Sequence, residues 1–195
     1  MKKAMKKILV LAALIISGAA ASAQFSLPSM EASLKGGYSL VQGSDSDFEG
    51  IIISGSLLVH INENIAIGPF YSTGVDMNFF EFDGDVEGIE NDAKQSMLGL
   101  NARFSTNRNS GLRPYLNLSY FRLELVEDFG DYRLAQKTSG FGAGIGLMIK
   151  LNRNLYLNAI EISARQIGDN IFFIDGATYI LQFQTGISYN FGRSK

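Results

Sequence analysis

The chain has 195 residues, 46% hydrophobic and 18% charged, with 21 Gly, 3 Pro, one His, no Cys and a formal net charge of −2. The lack of Cys excludes disulfides, thiolate metal sites and cysteine nucleophiles, and a single His excludes a multi-histidine metal cluster. The charge balance excludes the basic surface on which nucleic-acid binding depends.

Met1 to Lys7 holds four lysines and no acid, Ile8 to Ala20 is apolar or small throughout, and Ala21-Ser22-Ala23 forms an A-x-A site. Residues 1–23 therefore read as a secretory signal peptide. The alternative is a membrane anchor, for which the apolar core is shorter than the ~20 residues a spanning helix needs. Without the signal the chain keeps 13 basic and 19 acidic residues, a net −6. Residues 24–29 form a short lead into the first strand, and 193–195 a short tail.

From there onward no stretch shows helical periodicity, and alternation with period two recurs. Leu34, Gly36, Tyr38 and Leu40 oppose Ser33, Lys35, Gly37 and Ser39. Ile51, Ile53, Gly55, Leu57 and Val59 oppose Ile52, Ser54, Ser56, Leu58 and His60. Ile65, Ile67, Pro69 and Tyr71 form a third apolar face, and Leu98, Leu100, Ala102 and Phe104 a fourth. In Arg113 to Glu127 the apolar face changes parity near Tyr120, which predicts either a β-bulge or a strand that leaves the apolar layer there. Phe141, Ala143, Ile145, Leu147 and Ile149 oppose four glycines and Met148. In Leu155 to Gln166, Tyr156, Ile160, Ile162 and Ala164 are read as outward and Glu161, Ser163 and Arg165 as inward, with Asn158 breaking the pattern. Tyr179 to Phe191 alternates throughout.

These eight segments are joined alternately by long connections (42–50, 72–93, 127–136, 166–176) and short, Asn-rich ones (62–64, 106–111, 152–154). They run nine to fifteen residues, and nine to eleven tilted residues cross a membrane core of ~30 Å. The polar faces carry Gly, Ser, Gln and Asn, which suit a crowded barrel interior better than water. Tyr38, Tyr71, Phe104, Tyr120, Tyr189 and Phe191 stand toward strand ends on the apolar faces, as interface girdles do. Of 19 acids, 15 fall in the long connections. The reading is an all-β, eight-stranded antiparallel up-and-down transmembrane β-barrel over residues 30–192, with both termini on the short-turn side. A secreted lipocalin-like barrel is the structural rival.

Gln184-Thr185-Gly186-Ile187-Ser188-Tyr189-Asn190-Phe191 closes the last strand with a polar residue, a Gly two later and two aromatics two apart. In this and in its strand pattern the chain resembles the small Gram-negative outer-membrane β-barrels of the OmpA/OmpX kind. The resemblance implies an outer-membrane, porin-like body with periplasmic termini and outer-membrane lipid around it. It further implies that Gln184, Gly186, Tyr189 and Phe191 are read by the barrel assembly machinery. Many members end on the final aromatic, whereas Gly192 to Lys195 follow here.

Candidate sites are few. Lys35, Arg103, Arg122, Glu124, Glu161 and Arg165 are expected inside the barrel as a network, with Arg122/Glu124 and Glu161/Arg165 as members on neighbouring non-sequential elements, because buried charge requires pairing. Asp83, Asp85, Glu87, Glu90 and Asp92 form an acidic loop that would hold a divalent ion only loosely. Lys94 stands where a Ca²⁺ loop of the EF-hand type needs Glu. His60 lies beside a short turn, the wrong end for outer-membrane lipid A deacylases, and is read as structural. Phe79-Phe80-Glu81-Phe82 and Ile171 to Ile174 either contact an extracellular partner or lipid, or extend the wall above the membrane and pack on each other. The expectation is a non-enzymatic, cofactor-free body with a filled interior and acidic surface loops. A narrow solute channel is the alternative, and a lipid-modifying enzyme a further one.

Overall fold

A computed structural model describes residues 29–42, 46–81, 91–106, 111–128, 133–167 and 178–191 of the chain. The period-two segments form eight strands: β1 (Met30–Gln42), β2 (Ser46–His60), β3 (Ile65–Glu81), β4 (Asn91–Ser105), β5 (Leu112–Asp128), β6 (Arg133–Lys150), β7 (Leu155–Ile167) and β8 (Thr178–Phe191). Each pairs antiparallel with its sequence neighbours, and β1 pairs with β8 from Met30↔Phe191 to Gln42↔Tyr179, which closes the barrel. Closure leaves no unpaired strand edge, the condition for a sheet to sit in hydrocarbon.

Two short turns share one local device. Asn62 Oδ1 accepts from the backbone N–H groups of Asn64 and Ile65 at 2.9 and 2.8 Å. Asn152 Oδ1 accepts from those of Asn154 and Leu155, both at 2.9 Å. The side-chain oxygen replaces a backbone acceptor and fixes the reversal.

The strands are longer than the alternation implies, and four connections shorten accordingly. β1 and β2 stay paired to Gln42↔Asp47, and β5 and β6 to Asp128↔Arg133. The wall therefore continues past the apolar band at the loop end.

That continuation explains β5. Its register against β4 and β6 runs without a shift, so it has no bulge. Arg113, Tyr115, Asn117, Phe121, Leu123 and Leu125 all face inward, while Leu116, Leu118, Tyr120 and Arg122 face outward. The chemistry changes while the parity holds: beyond Tyr120 the strand leaves the apolar layer and turns apolar inside and polar outside. Arg122 and Glu124 are therefore not interior residues. Arg122 is exposed, and Glu124 meets Lys137 at 3.6 Å on the outer face.

In β7 a bulge does occur. Asn158 pairs with Gly186 and Glu161 with Gln184, so two residues oppose Thr185 alone. The extra residue flips the parity. Tyr156 and Asn158 face inward before it and Glu161, Ser163 and Arg165 face inward after it, so Tyr156 is buried rather than on the outer wall. β3 has a comparable irregularity between Thr73 and Met77.

The interior has two strata. At the loop end, Val41, Ile52, Phe70, Met77, Met97, Phe121, Leu123, Leu125, Ile167 and Ile180 form one apolar cluster, drawn from seven of the eight strands. At the turn end lie the buried ion pairs, with Tyr115, Met148 and Tyr156 among them.

Candidate functional site

The polar stratum is built by inward positions of five strands. Glu31 (β1) and Arg103 (β4) form a fully buried ion pair. His60 at the end of β2 places Nε2 3.7 Å from Glu31 Oε2. Arg103 Nε donates to Asn117 Oδ1 at 3.1 Å, and its guanidinium lies 4.6 Å over the Tyr115 ring. Tyr115 Oη donates to Glu161 Oε2 at 2.7 Å, and Glu161 forms a second buried ion pair with Lys35. One continuous chain thus runs His60, Glu31, Arg103, Tyr115, Glu161, Lys35, with Tyr115 joining its two ion pairs.

Glycines make this chain possible. Lys35 on β1 and Glu161 on β7 are separated by β8, where Gly186 stands opposite Lys35 and presents no side chain between them. A Cβ on Gly146 would sit 2.3 Å from Tyr115 Cζ. Removing one member of a buried ion pair strands the other charge and typically costs about 3–5 kcal/mol.

Arg165 stands apart from this chain. Its Nη1 approaches Met97 Sδ at 3.2 Å, and its guanidinium lies 5.1 Å from the Phe70 ring centre and 5.6 Å from that of Phe121. Arg165, expected in one interior network with Glu161, makes no ion pair with it. The two are four residues apart on one strand, roughly 13 Å at the usual rise, and Glu161 is taken by Lys35 and Tyr115. Further interior contacts cross strands: Gln184 Nε2 donates to Ser54 Oγ at 2.8 Å, and Asn158 Nδ2 to Ser188 Oγ at 2.8 Å. At the turn-end mouth Arg113 Nη2 donates to Ser105 Oγ at 2.6 Å and stacks 5.6 Å over Tyr156.

The family described as Outer membrane protein beta-barrel domain matches residues 8–191. The chain belongs to this family. Its fold is similar to that of Neisserial surface protein A, at a TM-score of 0.65 and 16% identity over 83% of this chain and 97% of that one. It is also similar to a major outer membrane protein from Thermus thermophilus, at 0.57 and 12% identity over 84% and 99%. A third solved barrel, OprG from Pseudomonas aeruginosa, scores 0.55 at 13% identity over 86% and 98%. At these identities the likeness is one of fold. No curated protein matches the chain.

As an outer-membrane barrel, the molecule turns its apolar wall to lipid. Leu34, Ile53, Leu98, Leu100, Leu118, Ile145 and Ile187 are exposed on that wall. Tyr120 packs on Phe141 and Tyr189 on Phe191, with ring centres 5.0 and 4.9 Å apart, toward its opposite ends.

The four residues of the resemblance to an assembly signal lie on the closing seam. Gln184 and Gly186 face inward, and Tyr189 and Phe191 outward. A Cβ on Gly186 would lie 2.1 Å from Leu34 O, so the glycine also serves the β1–β8 approach. Of the acidic loop, Asp83, Asp85, Glu87 and Glu90 lie outside the described residues, and Asp92 belongs to the start of β4. Phe79, Phe80 and Glu81 have their backbone in β3, whereas Phe82 and Ile171 to Ile174 lie outside the described residues. Among the described residues no group of three His, Cys, Asp or Glu is placed to hold a metal.

Glu31, Arg113 and Tyr115 are interior residues that the sequence reading did not single out. Glu31 was within reach: it shares the inward parity of Ser33 and Lys35, two residues before the alternation was taken to begin.

Proposed function

We propose that the protein is a closed, non-conducting and non-enzymatic barrel with a structural or surface-interaction role, presenting its acidic loops outside the cell and both termini to the periplasm. One observation carries this reading: the apolar cluster spans the lumen at the loop end. Side chains that fill the lumen leave hydrated ions no continuous path through it. An eight-stranded barrel is in any case only wide enough for side chains to fill. The charges beneath the cluster support the same reading, since both buried carboxylates are committed to ion pairs. His60 faces inward against Glu31 at the turn end, away from the loops.

The test is single-channel recording of the protein purified from outer membranes, beside electrophoresis of heated and unheated samples to establish that it is folded. The expected result is folded protein with no steady conductance. Reproducible steps from folded protein would replace this reading with the narrow channel.

A further inference from the structure

Arg165 is a buried cation that the proposed function does not use. It is 7% exposed, and neither carboxylate buried among the described residues pairs with it: Glu31 is held by Arg103 and Glu161 by Lys35. Its contacts are a thioether sulfur and two phenyl rings. Its Nε has no hydrogen-bond partner.

Glycines have cleared the space that this side chain occupies. A Cβ on Gly142 would lie 2.5 Å from Arg165 Cγ, one on Gly99 would lie 2.6 Å from Phe70 Cε1, and one on Gly140 would lie 2.8 Å from Phe121 Cζ. Three inward glycines on β4 and β6 thus floor the recess holding the guanidinium and its two rings.

Two further polar side chains are placed by register beside Met97, which Arg165 contacts. Ser72 stands opposite Met97 in the β3–β4 register, and Gln95 is the next inward position along β4. Ser72 Oγ and both polar atoms of the Gln95 amide are buried without a hydrogen-bond partner. Among the described residues, Arg165 Nε–H, the Gln95 NH₂ and the Ser72 hydroxyl are three unpartnered donors, and the Arg165 guanidinium has no carboxylate in direct contact. Met77, Leu123 and Leu125 belong to the apolar cluster toward the loops, and the Lys35–Glu161 pair lies in the polar stratum toward the turns. Met97, Phe70 and Phe121 belong to that cluster too, so a group bound at Arg165 would lie at its lower edge and be largely dehydrated. It would need one negative charge, small size and acceptor capacity only.

We propose that the barrel interior binds a small monovalent anion of the halide class at Arg165, with Gln95 and Ser72 donating to it. A dianion would exceed the one available charge, and a large organic anion would not fit a recess floored by backbone.

The test uses the protein purified from outer membranes in nonionic detergent, at constant ionic strength, in chloride, bromide, sulfate or gluconate. The first readout is the ³⁵Cl NMR linewidth. Broadening is expected with the wild type, reversal by bromide but not gluconate, and none with Arg165→Met. The second readout is the fraction remaining compact on unheated electrophoresis after incubation in urea, which adds no halide. Chloride at about ten times its dissociation constant should raise the folded-to-unfolded ratio about tenfold over gluconate. Arg165→Met should remove that difference. Equal stability of the wild type in chloride and gluconate would overturn the proposal, and that comparison stands even if Arg165→Met does not fold. Broadening that is equal in wild type and variant, or stabilisation by sulfate alone, would overturn it as well.

Discussion

At the scale of single residues, the interior is arranged around side chains that are missing. Gly140, Gly142, Gly144 and Gly146 fill four successive inward positions of β6, and a Cβ on them would meet Phe121, Arg165, Ser163 and Tyr115 in turn, at 2.3 to 2.8 Å. Bulky groups from neighbouring strands lie across β6 where it has none of its own. Gly146 is the most consequential, because the Tyr115 ring it accommodates joins the Arg103 and Glu161 pairs. Gly146→Ala should force Tyr115 off that position and lower stability by about 1–3 kcal/mol, the usual range for overpacking. Gly111, at a turn with nothing within 4 Å of its would-be Cβ, supplies the control. Gly111→Ala should change stability by no more than about 0.5 kcal/mol. Urea midpoints for the two variants check this, and equal midpoints would contradict the packing argument. The glycine face was visible in the sequence. The partners it accommodates were not, because they depend on which strands flank β6 and in what register.

At the scale of elements, β5 separates what alternation reveals from what it conceals. The period of two was enough to find the strand, and the change near Tyr120 was visible. Two explanations fitted it, and only the unbroken register against β4 and β6 decides between them. The misassignment of Arg122 and Glu124 has a physical source. A charge beyond the apolar layer and a charge inside the barrel look alike in a sequence, because both interrupt a run of apolar residues. The pairing of Lys35 with Glu161 was equally hidden, since it spans 126 positions and requires both barrel closure and the bulge in β7. The orientation of β5 is directly testable because the chain contains no cysteine. With the loops outside the cell, Arg122→Cys should react with a membrane-impermeant maleimide on intact cells. Leu123→Cys, fully buried one residue further, should react only after denaturation. Labelling of Leu123→Cys in place of Arg122→Cys would reverse the assigned faces. No labelling of Arg122→Cys in folded, membrane-inserted protein would place that end elsewhere than the cell surface.

At the scale of the molecule, one closed sheet meets two solvents. Within the lipid band it is polar inside and apolar outside. On β5 and β6 it inverts beyond Tyr120 and Phe141: Phe121, Leu123 and Leu125 turn inward, while Arg122, Lys137 and Ser139 are exposed. The same wall thus acts first as a membrane barrel and then as a water-soluble one, and the apolar cluster is the core of the second. This predicts that the effect of an added charge depends on height along the wall. Leu100 and Ile145 are 58% and 64% exposed on the outer face within the apolar band. Arginine at such positions costs about 2–4 kcal/mol near the bilayer midplane and almost nothing at the interface. Leu100→Arg and Ile145→Arg should therefore sharply lower the heat-modifiable, membrane-inserted fraction. Ser139→Arg, exposed on the same strand as Ile145 but past Phe141, should assemble at wild-type levels. Since Ser139 and Ile145 share one strand, a difference between them isolates the surrounding solvent from strand propensity. Equal assembly of all three variants would mean that the apolar wall does not face hydrocarbon.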